Sequence, residues 1–149
     1  MSIKLTFDKQ EFEQQITKIR KNWEFDAKFY KDVANVILQD TKKRIKTTKV
    51  DPEGVAWKPW AEGTRKAREK KGTAALGLLF DSGALHNSFN YVIKKNGFEL
   101  VSKSPYMAYL HNGTDHMPAR KILGISKEAI ADIKKIIELK FGRWKNETD

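Results

Sequence analysis

The residues best suited to chemistry gather in one stretch, Ser104 to Ser126, which reads S-P-Y-M-A-Y-L-H-N-G-T-D-H-M-P-A-R-K-I-L-G-I-S. His111, Asp115 and His116 lie close together there and are of types that ligate metals. Their spacing matches no strong metal motif, and Gly113 with Thr114 marks a turn. The competing reading makes His111 structural: a ring nitrogen bonds a backbone group, while Asp115 and His116 sit in the turn. Ser82 and His86 are the types of a nucleophile and its base, but a pair without an orienting third group is no triad. The chain has no G-x-S-x-G elbow, no P-loop, no G-x-G-x-x-G and no H-E-x-x-H. Its carboxylates are dispersed and mostly lie beside lysines, unlike the acidic cluster that a metal-dependent nuclease needs. The pattern argues against catalysis and calls for no cofactor.

The same stretch is dense in chain breakers. Pro105 opens it, Gly113 interrupts it, Pro118 follows, and Gly124 hands it to a final helix. Tyr106, Met107, Tyr109, Leu110 and Met117 keep it apolar, which disfavours a free surface loop. The spacing predicts a short helix, a turn, and an extended P-A-R-K-I-L segment packed into the core.

The elements that must position this stretch follow from composition and period. At 149 residues the chain suits one domain with a real core. Hydrophobic content of 40% and charged content of 32% are those of a soluble globular protein. No run approaches the ~18 apolar residues of a membrane span, and the start M-S-I-K-L-T-F-D lacks the apolar core of a signal peptide. The absence of cysteine removes disulfides and thiolate metal sites and fits a cytoplasmic origin. A formal charge of +10 favours an anionic neighbour, either nucleic acid or an acidic protein surface.

Ile3, Leu5 and Phe7 alternate as in a short strand, and Asp8 with Glu11 resembles a capping box. Phe12, Ile16, Ile19 and Trp23 predict a first helix to about Asn22. A second helix is predicted from about Asp26 to Lys46, with Phe29, Val33, Val36, Ile37 and Ile45 buried. Its basic end, Lys42, Lys43, Arg44 and Lys46, complements the helix dipole and is also a candidate basic contact. Asp51-Pro52-Glu53-Gly54 signals a turn. Trp57 and Trp60 bracket Pro59, either anchoring that loop to the core or offering bases a stacking platform. Thr64 is a candidate cap for a basic helix ended by Gly72. That helix carries Arg65, Lys66, Arg68, Lys70 and Lys71, further candidate contacts. With almost no apolar face, it reads as part of a mobile arm, about 48–76, that orders against a partner.

Asp81-Ser82-Gly83 precedes a one-turn helix carrying Leu85 and His86. Phe89, Tyr91 and Ile93 alternate, Asn96-Gly97 signals a two-residue hairpin, and Phe98, Leu100 and Val101 continue beyond it. Ser126 caps a last helix with Ile130, Ile133, Ile137, Phe141 and Trp144 on its apolar stripe. The predicted class is α+β: N-terminal helices, a small antiparallel sheet with an Asn-Gly hairpin, and a C-terminal helix.

Four pieces of the second half resemble, in order, the phage virion morphogenesis family, the tail-completion proteins of Mu-like and P2-like phages and of prophages. G-V-A-W-K-P-W-A-E-G-T-R-K (54–66) is similar to the family's G-x-x-W-x-P-x-x-x-x-T-x-x-K. L-L-F-D-S-G-A-L-H-N-S (78–88) is similar to L-x-x-T/S-G-x-L-x-x-S. M-A-Y-L-H-N-G (107–113) resembles Y-A-x-I-H-x-x-G, and P-A-R-K-I-L-G-I-S (118–126) resembles P-A-R-P-F-L-G-L-S. Met107 stands where the family usually has Tyr, Gly113 comes one residue early, and Lys121-Ile122 replaces Pro-Phe, so Ile122 must fill the Phe slot.

The resemblance implies a structural protein of the phage particle with no catalytic residue to carry over. It implies a ring of copies of this chain, six being one option, at the tail end or neck. The implied partners are tail-tube and neck or connector proteins, with DNA in the channel as a further option and no membrane. The implied location is the virion, after assembly in the bacterial cytoplasm. Trp57, Trp60, Ser82, Gly83, Leu85, His111, Gly113, Pro118, Arg120 and Gly124 are the candidate structural or assembly residues. A basic nucleic-acid-binding module is the alternative, and a histidine-dependent hydrolase or toxin is a third class.

Overall fold

In the computed structural model, which describes residues 4–8 and 25–142, the first element is strand β1 (Lys4–Asp8). The predicted first helix and Trp144 lie outside the described residues. Helix α1 (Ala27–Lys43) begins at Asp26, whose Oδ1 accepts from the Phe29 N–H at 2.8 Å. This bond satisfies one of the orphan donors of the first turn. Phe29, Val33, Ile37 and Ile45 are buried as the helical period requires, and Val36 is half-buried. Tyr30, Ala34, Leu38 and Thr41 widen the stripe, because α1 packs against both β2–β3 and the last helix.

The α-helix stops at Lys43 rather than Lys46 and continues as a π-turn over Arg44–Thr48, ended by Lys49 in the left-handed conformation, φ 57°. The widened turn buries two consecutive residues, Arg44 and Ile45. Arg44 is therefore not the exposed basic contact expected of it. It is only 3% exposed, and its Nε donates to Asp40 Oδ2 at 3.0 Å. Lys43 and Lys46 are exposed and Lys42 is half-buried.

Strands β2 (Phe89–Lys94) and β3 (Gly97–Ser102) form a hairpin. Lys94 pairs with Gly97, so the turn residues are Lys95 and Asn96, and the glycine is the first residue of the returning strand. β1 pairs antiparallel with the other edge of β3, giving the order β1-β3-β2. Phe98 and Leu100 of the central strand are fully buried, as is Phe89 nearly so on β2. Helix α5 (Lys127–Phe141) starts at Ser126, whose Oγ accepts from Ala129 N–H at 3.1 Å. It buries Ala129, Ile133 and Ile137 and packs on α1. The class is α+β.

The basic segment forms helix α2 (Glu62–Lys71). Ala61, not Thr64, occupies the N-cap position, and Thr64 lies in the first turn. Gly72 ends the helix at φ 80°, its N–H reaching the Arg68 and Glu69 carbonyls. No residue of α2 is buried, so it sits on the surface of the fold. One-turn helix α3 (Ala84–Asn87) and short helix α4 (Met107–Asn112) complete the elements needed below.

The core assignment has a direct test. Ile37→Ala removes a fully buried side chain between sheet and helix, and should lower unfolding free energy by ~2–5 kcal/mol. Val55→Ala, at an exposed turn, should change it by less than ~0.5 kcal/mol. Urea denaturation of both variants checks the contrast.

Candidate functional site

The organising stretch folds back on itself through helix α4 and a tight turn. Met107 is fully buried and pins α4 to the core, while Tyr106 and Tyr109 face outward at 68% and 59% exposure. The expectation that the tyrosines help bury this stretch therefore fails. They lie three residues apart at a helix start and share one face, opposite Met107. Gly113 ends α4 at φ 74°. A Cβ there would stand 2.6 Å from the Ala119 nitrogen, so only glycine permits the reversal. Thr114 N–H then donates to Met117 O at 2.8 Å, and the chain returns along α4, with Arg120 N–H donating to Leu110 O at 2.8 Å.

The return places two backbone donors against one imidazole. The N–H groups of Ile122 and Leu123 lie 3.1 and 3.3 Å from His111 Nδ1. An Nδ1 that accepts is unprotonated, so the ring is neutral with its proton on Nε2. Burial first, and the charge of Lys121 second, push the His111 pKa below the ordinary value of 6.5. The same lone pair cannot also hold a metal or act as a base. His116 is exposed at the turn, where its N–H reaches Thr114 Oγ1 at 3.2 Å. Among the described residues, no three His, Cys, Asp or Glu side chains gather in a group suited to a metal.

The extended segment after Pro118 is stitched to the tryptophan loop by reciprocal bonds. Arg120 is 5% exposed, and its Nε and Nη2 donate to the carbonyls of Lys58 and Pro59, both at 2.9 Å. Trp57, 6% exposed, returns the contact through Nε1 to Lys121 O at 2.9 Å. Lys121 pairs with Glu53 at 2.7 Å across the same seam. Gly124 meets Pro52, where a Cβ would come within 2.5 Å of the proline ring. Ile122 is fully buried and fills the slot in which the family pattern has Phe. The stacking-platform reading of Trp57 is thereby overturned, since its ring is enclosed and its donor is used. Trp60 is half-buried, and the Arg68 guanidinium lies 4.9 Å from its ring centre.

Beside this seam lies an apolar groove of about 600 Å³. Trp60, Ser82, Leu85, Pro118 and Arg120 line it together with Tyr106 and Tyr109. Trp57, His111, Gly113 and Gly124 are not in its lining and act in the turn and the seam beside it. One side is a strap, residues 77–81, fastened by two cations. Arg68 donates to the carbonyls of Gly77 (2.9 Å) and Phe80 and pairs with Asp81 at 2.5 Å; Lys49 Nζ donates to Leu78 O at 2.7 Å. Arg68 is thus committed internally and is no free basic contact. Arg65 is bracketed by Glu62 and Glu69 on α2; Lys66 and Lys71 are exposed but pair with Glu62 and Asp81, and Lys70 is exposed. Leu79, within the strap, has φ 60°, a conformation costing a non-glycine residue about 1–3 kcal/mol. Gly83 begins α3 at φ 87°, and Ser82 Oγ accepts from Ala84 N–H at 3.3 Å. Sequence reasoning did not find Lys49, whose role depends on a partner 29 residues away.

His111 yields a pH-dependent prediction. Because its folded pKa is depressed, its contribution is complete above the ordinary value of 6.5 and disappears as pH falls through the lower folded value. His111→Ala should cost ~1–3 kcal/mol at neutral and alkaline pH. The gap from the parent should narrow on acidification, as the parent's imidazole takes up a proton and releases both amides. Chemical denaturation of the two proteins across this range measures it.

Comparison with known proteins extends the similarity beyond the four motifs. Residues 7–141 match the phage virion morphogenesis family. The Mu-like prophage FluMu G protein 1 of Haemophilus influenzae is 26% identical over 138 residues, covering 92% of this chain and 93% of that protein. No solved structure shows a significant match. With the match running from the end of β1 through α5, and with the motif residues gathered around one seam and one groove, the chain belongs to the phage virion morphogenesis family.

Proposed function

We propose that this chain is a non-enzymatic structural subunit of tail completion. It works as a ring of its own copies at the tail end or neck, where tail and head join. The observation that carries the reading is the use of the motif residues. Trp57, His111, Gly113, Arg120 and Gly124 act as joints between backbone segments. Trp60, Ser82, Leu85 and Pro118 line a preformed apolar surface. Such a division suits a part that presents a shape to neighbours, and a virion morphogenesis family is where such a part belongs. The similarity to a Mu-like prophage protein supports the same reading.

The ring contacts are of the head-to-tail kind, in which one surface of a copy meets a different surface of the next. Tail-tube and neck proteins are the further partners, and the +10 charge suits an acidic partner surface or DNA in the channel. The subunit would be made in the bacterial cytoplasm and end in the virion. A module that binds free DNA is the second reading, favoured by the net charge and by exposed Lys43 and Lys46. It requires affinity that falls steeply with salt.

A nonsense mutation in the gene of the parent phage tests the proposal. Electron microscopy of lysates should find DNA-filled heads and separate tails with abnormal or unjoined ends. Normal, infectious tailed particles in those lysates would refute it.

A further inference from the structure

Arg120 has an unusual position for a guanidinium. It is almost fully buried, yet among the described residues no carboxylate lies within ion-pair distance. Two backbone carbonyls take Nε and Nη2. Nη1 bonds no protein acceptor among the described residues and is not one of their fully enclosed, unpartnered side-chain atoms. Arg120 lines the groove. A buried cation left without its counter-charge is costly, and a carboxylate delivered to a desolvated guanidinium forms the strong, charge-assisted kind of hydrogen bond.

The groove around it is apolar and bordered by two exposed tyrosines and a half-buried tryptophan, types enriched where binding energy concentrates. A volume of about 600 Å³ holds a few side chains, not a folded domain. The chain as a whole is strongly basic at +10, so a second copy would bring mainly like charge to the groove. Nucleic acid would bring anions but wants an open basic track, not an apolar hollow in which Arg68 is already paired with Asp81 and Arg120 is the recessed cation without a carboxylate.

We infer that this groove docks a short apolar segment of a different, acidic protein. Its aliphatic or aromatic side chains enter between Trp60 and the Tyr106–Tyr109 edge, and one carboxylate reaches Arg120. The inference rests on the reading of the chain as an assembly subunit and names the chemistry of its partner. The seam is formed before the segment arrives, because the Lys58 and Pro59 carbonyls already fix the guanidinium plane. Binding therefore needs little reordering of the subunit.

The test uses the full chain and a library of hexapeptides built from Leu, Phe, Trp, Asp and Glu. A matched library carries Asn and Gln in place of Asp and Glu. Fluorescence anisotropy should find acidic peptides that bind at least about tenfold more tightly than their amide counterparts. Tyr106→Ala and Tyr109→Ala, both at exposed positions that leave the fold intact, should each weaken binding by about fivefold. Arg120→Gln, which removes the charge, should abolish the preference for acid over amide if it folds. If it does not, the tyrosine variants and the acid–amide ratio decide. Equal binding of acid and amide peptides, indifference to both tyrosines, or no binding at millimolar peptide would overturn the inference. So would self-association of the parent that the tyrosine variants lose, which makes a second copy the occupant. Tyrosine-dependent binding of a thymidine oligonucleotide would overturn it in favour of nucleic acid. Peptide binding is read on the purified subunit and the lysate phenotype on the phage, so either result can fail without the other.

Discussion

A buried guanidinium holds the second half of this protein together. Arg120 belongs to a segment with no regular secondary structure, whose backbone groups have no ladder to satisfy them. Its Nε and Nη2 are donors in a fixed fork, and the carbonyls of Lys58 and Pro59 lie where the fork points. Hydrogen bonds from a charged donor are worth roughly 1.5–3 kcal/mol each. Two of them, with the reciprocal bond from Trp57, fasten an irregular loop to an irregular strand. A lysine would offer charge without the fork, so the planar group is part of the architecture.

The other joints follow the same logic. His111 gives one lone pair to two successive amides, which is how a chain returning from a turn without a helix or sheet finds an acceptor. Gly113 permits the reversal, and Gly124 lets Pro52 close against the seam. The joints link backbone segments that meet in space but are separated in sequence, by 11 residues between His111 and Ile122 and by 62 between Arg120 and Lys58. Of these joint residues, Arg120 itself lines the groove. The opposite wall, the 77–81 strap, is fixed by Arg68 and Lys49 instead of by a strand partner. The left-handed Leu79 is the local cost of that arrangement.

Rigidity of this kind suits assembly. A surface that is already shaped loses little conformational freedom when a neighbour arrives, so more of the contact energy appears as affinity. The arrangement also accounts for the absence of polar chemistry at the motif residues. His111 is spent on backbone amides, and Ser82 on the N–H of Ala84 at the start of α3. Holding a shape and performing a reaction place different demands on the same residue types, and the bonds of Trp57, His111, Arg120 and Ser82 go to the main chain.

The sequence by itself determined the regular elements, because their causes are local. The helical periods of α1 and α5, the caps at Asp26 and Ser126, the alternation of β2 and the breakers around Gly113 act over a few residues. The motif order also carried the family, which the match over residues 7–141 establishes. The structural role of His111 was legible as a ring nitrogen meeting a backbone group, though not which amides it meets. Tertiary structure alone decided which charges are free. Arg44 and Lys46 look alike in sequence, yet the π-turn buries one and exposes the other. Arg65 and Arg68 sit three residues apart on one helix, but only Arg68 reaches the strap. Trp57 and Trp60 flank the same proline, and only the seam with Lys121 tells the anchor from the groove wall. For Arg68 and Trp57 the deciding partner lies outside the local window, where the spacing of residues along a chain holds no information about distance in space.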